Sequence, residues 1–377
     1  MKFAMGNRRQ SSRRAASARA LSWLLATSCL TLGSAAAPPA NAAPGANVTT
    51  YVSGLNNPRG LKFGPDGALY VAEGGLGGNT STNGLCNQVP PPVGPYTGSH
   101  TSGRISRIGG YHVRTTVVDN LPSSQTSPAL NSFVSGVADV AFVGGTLYGL
   151  LAGAGCSHGV TSLSNGVVRI NPNHSWTLIA DLSAYQKAHP VAQPFEGDFE
   201  PDGTWYSMIA VNGELYALEP NHGEVDKVTI GGAISRVIDI SESQGHVVPT
   251  ALAYHGNFYT ANLGGFPQAI GSSKVWKFTP SGQIKGVESG FDMVLGLVFD
   301  NRARMYVLET AAQSPAPAPN KGRITRIDPG GARKIIADGL LFPTGMTLGP
   351  DGNLYVSNFG FGGGQGDGSV LKVELTD

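Results

Sequence analysis

The chain reads as an all-β protein, a six-bladed β-propeller of four-stranded antiparallel blades closed by its N-terminal strand. Three observations predict this. A short phrase recurs along the whole length, GPDGALYVAE from Gly64 and GPDGNLYVSN from Gly349, with weaker copies between them. The remaining strands fall on the same frame around each copy. The two ends of the chain complement one another as parts of one repeat. Self-similarity at such a period marks radial or linear repeat folds.

Each copy is a tight turn followed by an aromatic and β-branched run, the pattern of a strand. The repeat tyrosines are Tyr70, Tyr148, Tyr216, Tyr259, Tyr306 and Tyr355. Ahead of each turn lies an apolar segment: GLKF at Gly60, DVAF at Asp139, SMIAV at Ser207, TALAY at Thr250, GLVF at Gly296 and GMTL at Gly345. After each tyrosine strand comes a third strand with an internal basic residue: Arg107, Arg169, Lys227, Lys277, Arg326 and Lys372. A fourth strand follows in most units, as in HVRTTVVDNL from His112, WTLIADL from Trp176 and ARKIIADGL from Ala332. Four antiparallel strands per unit is the composition of a propeller blade.

The last unit stops after SVLKVELTD, one strand short. The segment Val48 to Leu55 resembles a fourth strand with no unit of its own. It is therefore expected to complete the last blade and close the ring, which removes open strand edges. Glycine (53 residues) supplies the positive-φ turns that so many hairpins require. Charged residues are only 14% and the net charge is +1, so the basic stripe of a nucleic-acid binder or an anionic-membrane binder is absent.

Residues 1–42 read as a signal peptide and 43–377 as the propeller. Arg8, Arg9, Arg13, Arg14 and Arg19 form a basic leader, Ala20 to Leu32 an apolar stretch, and Ala40-Asn41-Ala42 a small-residue cleavage site. Cys29 lacks the leucine of a lipobox, so cleavage without lipidation is expected. The mature protein is then secreted and extracellular, free of the membrane, and expected as a monomer. It retains two cysteines, Cys86 and Cys156, both in the connection after a tyrosine strand, in blades one and two. In an oxidising compartment they are expected to form a disulfide; the alternative is two free thiols in exposed loops.

NNPRGLKFGPDGALYVAEGG from Asn56, VPTALAYHGNFYTANLGGFP from Val248 and PTGMTLGPDGNLYVSNFGFG from Pro343 resemble the ScyD/ScyE family. The resemblance runs from about Val48 to Asp377, with LGGFP at Leu263 to Pro267 its most distinctive part. It implies a secreted propeller and brings no catalytic residues with it. EPDGTWYSMIAV at Glu200 departs from the family's usual Asn-Pro-Tyr run, which makes blade three the least regular.

Two groups of polar residues invite chemistry. Three positions beyond the repeat tyrosines stand Glu73, Leu151, Glu219, Asn262, Glu309 and Asn358. Oxygen ligands in a ring suit calcium, but a position repeated in nearly every blade is better read as binding backbone groups at strand ends. The repeated third-strand cations read likewise as packing stems and ion pairs between blades. The second group is not repeated. Asp139 opens the inner strand of blade two, Glu196, Asp198, Glu200 and Asp202 precede blade three, and Arg59, His246 and Asp292 sit near the starts of blades one, four and five. The rim candidates of a central channel are therefore Arg59, Asp139, Asp198, Glu200, His246 and Asp292. Carboxylates there suit calcium or water activation, as in gluconolactonase-like propellers. Blade one, however, offers Asn57-Pro58-Arg59 where that family carries a Glu-Gly-Pro metal site. His158 and His222 read as surface-loop histidines without metal-ligand spacing.

These residues leave a secreted, non-catalytic binding or scaffolding propeller as the leading expectation. Its partner would be a small molecule or an extracellular protein or polysaccharide, held by loops on one face. A calcium-dependent lactonase or esterase in the channel is one alternative. A quinone-dependent sugar dehydrogenase is another, because GLNNPRGLKFGPDGALYVAE also resembles that six-bladed family.

Overall fold

In the computed structural model, described over residues 46–265 and 267–375, six antiparallel sheets stand in a ring. The predicted signal peptide and Phe266 of the LGGFP run lie outside the described residues. The inner strands, blade one to blade six, are Pro58–Phe63, Val137–Val143, Ser207–Val211, Pro249–Tyr254, Val294–Phe299 and Gly345–Leu348. Each pairs with its tyrosine strand, and each tyrosine strand with its basic strand. All six blades carry a fourth strand, including Ile234–Asp239 and Ile284–Phe291 of blades three and four. No described helix is long and apolar enough to cross a membrane.

The ring closes as the sequence predicts. Ala46–Leu55 pairs antiparallel with Gly368–Leu375, in register from Ala46 opposite Leu375 to Leu55 opposite Gly368. The N-terminal strand thus becomes the outer strand of blade six.

The core lies between blades rather than within one sheet. Strand alternation sends side chains to both faces of every blade, and each face meets the next blade. Ala72, Ile105 and Val118 of blade one pack on Val140, Leu147 and Leu151 of blade two. Leu61, Leu69 and Val71 pack on Tyr355 and Val370 of blade six. The other four interfaces are built the same way. Around the channel the inner strands come so close that side chains must be omitted. A Cβ on Gly60 would sit 1.9 Å from the Asp139 carboxylate, and one on Gly345 would sit 2.5 Å from the Arg59 carbonyl.

The repeated polar positions are structural. Glu73 accepts the Asn56 N–H at 2.6 Å, Glu219 the Thr204 N–H at 2.8 Å, Glu309 the Asp292 N–H at 2.9 Å and Asn358 the Leu341 N–H at 2.9 Å. Each latches the segment entering its own blade's inner strand, the backbone role expected of them. Three of the third-strand cations, Arg107, Arg326 and Lys372, form ion pairs, and these lie within a blade rather than between blades. Arg107 and Lys372 reach Asp66 and Asp351 at 2.8 and 2.9 Å, and the repeat tyrosines Tyr70 and Tyr355 bind the same carboxylates. A turn aspartate, a tyrosine and a cation thus fasten the inner hairpin of each of these blades.

Candidate functional site

Three segments outside the repeat build a cap over one mouth of the channel. They are the blade-one insert 74–102, the blade-two loop 152–165 and the approach to blade three, 189–206. Cys86 and Cys156 are disulfide-bonded and join the first two. Asp202 joins the second to the third by accepting the Ser157 N–H and hydroxyl, both at 2.7 Å. His158 is fully buried, not on the surface as its loop position suggested. Its Nε2 lies 3.0 Å from the Gly203 carbonyl, which can only accept, so Nε2 carries the proton and Nδ1 accepts from Ser124 at 2.8 Å. Burial pushes the imidazole down to about 4 and keeps it neutral. His222 is buried too, donating from Nε2 to the Glu200 carbonyl at 3.0 Å.

Beneath this cap lies a cavity of about 170 Å³ lined by Arg59, Tyr96, Glu200, Thr204, Tyr206 and Asn221 among others. A neighbouring cavity of about 120 Å³ shares Arg59, Tyr206 and Leu263 and adds Phe133, Pro317 and Phe361. The insert of blade one delivers Tyr96, whose hydroxyl donates to Glu200 Oε1. Glu200 is 1% exposed, and its Oε2 has no hydrogen-bond partner among the described residues. Thr204 lies close enough to favour the charged form of Glu200 without completing a hydrogen bond. Burial raises the Glu200 carboxyl well above the usual carboxylate range; the Tyr96 hydrogen bond opposes this, and the charges of Asp198 and Glu219 add to it. Burial therefore favours the protonated form of Glu200.

Tyr206 forms the floor. Its hydroxyl donates to the Thr344 carbonyl at 2.7 Å, spanning the channel from the start of blade three to that of blade six. Burial pushes its phenol up to about 12. The Arg59 guanidinium lies 5.7 Å from the centre of the Tyr206 ring and donates to the Val134 carbonyl. Cation–ring contact and one backbone bond leave further guanidinium donors at the cavity.

Of the six rim candidates, only Arg59 and Glu200 share this cavity. Asp139 stands in the channel wall beyond the floor, its oxygens taken by the Val140 and Met208 N–H groups at 2.8 and 2.7 Å. Burial raises it to about 6. Asp198 pairs with His246 at 3.3 Å, and His246 stacks on Phe195 with ring centres 4.5 Å apart. Asp292 accepts the Gly271 and Gln313 N–H groups at 2.6 and 2.8 Å and holds two loops together. Asn57, in place of a metal ligand, clamps Gly75 and Gly363. Calcium does not fit these positions. Among the described residues no three His, Cys, Asp or Glu side chains converge to hold a metal.

Sequence reading missed Tyr96, Thr204 and Tyr206. Tyr96 sits in an insert with no repeat to align it. Thr204 and Tyr206 lie in GTWY, within the one segment that breaks the pattern, and that break was the available signal.

No known protein family matches the chain, and no curated protein matches it. Solved structures do. A gluconolactonase from Xanthomonas campestris is 10% identical with a TM-score of 0.53, covering 91% of this chain and 99% of that one. A glucose dehydrogenase is 14% identical with a TM-score of 0.52, covering 88% and 100%. A protein of unknown function from Bacteroides thetaiotaomicron is 13% identical with a TM-score of 0.55, covering 87% and 76%. These neighbours share the fold alone, and among them are gluconolactonase-type propellers.

Proposed function

We propose that this protein is a hydrolase of small lactones or esters that works at the capped mouth of the channel by general acid catalysis, without the calcium site of gluconolactonase-like propellers. One observation carries the reading: a buried Glu200 whose Oε2 has no partner among the described residues, in a cavity that also receives Arg59. Strongly perturbed acids in clefts concentrate at functional sites. This replaces non-catalytic binding as the leading expectation.

Arg59 stabilises the carbonyl oxygen as negative charge develops on it. Water adds to the carbonyl carbon. Glu200 gives its proton to the leaving oxygen as the carbon–oxygen bond breaks, and regains one from the added water. Tyr96 holds Glu200 Oε1 and leaves Oε2 for the exchange. The gluconolactonase among the structural neighbours supports a lactone as the first substrate to try. The quinone-dependent reading receives no residue set of its own in this cavity. The motifs quoted above support membership of the ScyD/ScyE family, and the basic leader and small-residue cleavage site support secretion.

The test is a panel of aldonolactones and short acyl esters. Glu200→Gln, which keeps the shape, should lower kcat by about 10²–10⁴-fold, and Arg59→Ala should lower it by a similar factor. Saturable binding of panel members without turnover by the parent protein would restore the binding reading.

A further inference from the structure

The opposite mouth of the channel holds a second site. Beyond the Tyr206 floor the channel opens into a cavity of about 650 Å³. Every blade contributes to its wall, among them through Lys62, Ala141, Ile209, Leu252, Leu297 and Thr347. Five of the six bring no charge, and four are wholly apolar. At the rim stand Phe63, Phe142, Tyr254 and Phe299. Each is fixed by another ring: Phe63 by Tyr355 at 4.8 Å, Phe142 by Tyr70 at 4.9 Å, Tyr254 by Phe258 at 5.1 Å and Phe299 by His255 at 4.9 Å. Such paired aromatics place ring surfaces at the mouth that need little reordering to accept a ligand.

Lys62 is the single cation in this lining, and it makes no ion pair or hydrogen bond among the described residues. The nearby carboxylate, Asp139, attracts it, but both Asp139 oxygens are occupied by backbone N–H groups. The ammonium therefore has no fixed side-chain or backbone partner and its donors are available to a ligand in the cavity.

We propose that this mouth binds an amphiphile of one negative charge, with its apolar body along the wall and rim and its acidic head on Lys62. The wall supplies the area and Lys62 the polarity of insertion. The site is separate from the capped mouth, because the Tyr206 to Thr344 bridge lies between them.

The probe is 1-anilinonaphthalene-8-sulfonate, followed by fluorescence, with octanoate and octan-1-ol as competitors. The folded protein should bind one equivalent saturably, and octanoate should displace it at about tenfold lower concentration than octan-1-ol. Lys62→Gln should erase that preference while retaining the weaker apolar binding. Leu297→Glu should abolish both, with melting curves showing that each variant is folded. Glu200→Gln should bind the probe as the parent does. The proposal is overturned if the parent shows no saturable binding, if the acid preference survives Lys62→Gln, or if Glu200→Gln loses the probe, which would place it in the capped mouth.

Discussion

Glu200 and the carboxylates behind it set how this molecule answers to pH. As a general acid, Glu200 works only while it carries its proton, so kcat should fall as pH rises through its elevated pKa. An activity that instead rose with pH across that range would assign Glu200 the role of base. Behind it, Glu219, Glu224 and Asp226 share one face of blade three with Arg236. Arg236 bonds Glu224 at 2.5 Å, whereas neither Asp226 oxygen has a partner. Burial pushes Glu219 up to about 7 and raises Asp226 as well, with the Glu224 charge adding to the latter. A folded-state pKa above the unfolded one means that the folded chain holds the proton more tightly. The stability this gives is complete below about pH 4 and is lost as pH rises through about 7. Melting temperature should therefore fall between about pH 4 and 8. Asp226→Asn, which cannot ionise, should flatten that fall, and an unchanged slope would remove Asp226 from the account.

At the scale of elements, the cap depends on the disulfide. The bond spans 70 residues of sequence, and in the chain-entropy model such a loop is worth about 4 kcal/mol. It also sets the insert that carries Tyr96 against the loop that carries His158, whose rings lie 5.0 Å apart. The Cys86→Ser, Cys156→Ser double variant should therefore melt lower and lose more activity than its stability alone explains, because Tyr96 no longer steadies Glu200. Equal kcat in parent and variant at 20 °C below either melting point would show that the cap needs no such fastening. What was legible in the sequence divides along the same line. Inner, tyrosine and basic strands repeat, so alternation and turn residues located them in all six blades. The cap does not repeat, and its contacts join residues far apart in sequence, Tyr96 to Glu200 and Ser124 to His158. Asp139, Asp198 and Asp292 were placed near blade starts correctly, but sequence carries no sign of which N–H or imidazole a carboxylate will face. Arg59 and Glu200 stood among the rim candidates because they lie near blade entries and do not recur from blade to blade.

For the whole molecule, closure is the feature on which every other depends. Each blade buries its faces only against its neighbours, so a propeller with one weak joint exposes two faces at that joint. The joint here is the pairing of Ala46–Leu55 with Gly368–Leu375. Val48 packs into the interface of blades five and six, and Tyr51, Val52 and Leu55 into that of blades six and one. Tyr51 also meets the Tyr355 ring edge-on at 4.9 Å, and Arg114 of blade one donates to the Gly54 carbonyl, so the strand is held from both sides. Burying four such side chains contributes roughly 5 kcal/mol before chain entropy is counted. Removing residues 43–54 should then lower the melting temperature by on the order of 10 °C. The truncated ring should expose the basic strand of blade six as an open edge and begin to associate. Adding the peptide 46–55 in trans should recover part of the loss, since the register with Gly368–Leu375 remains available. A truncated protein that melts with the parent, or one that the peptide does not stabilise, would mean that the ring is held by blade packing alone.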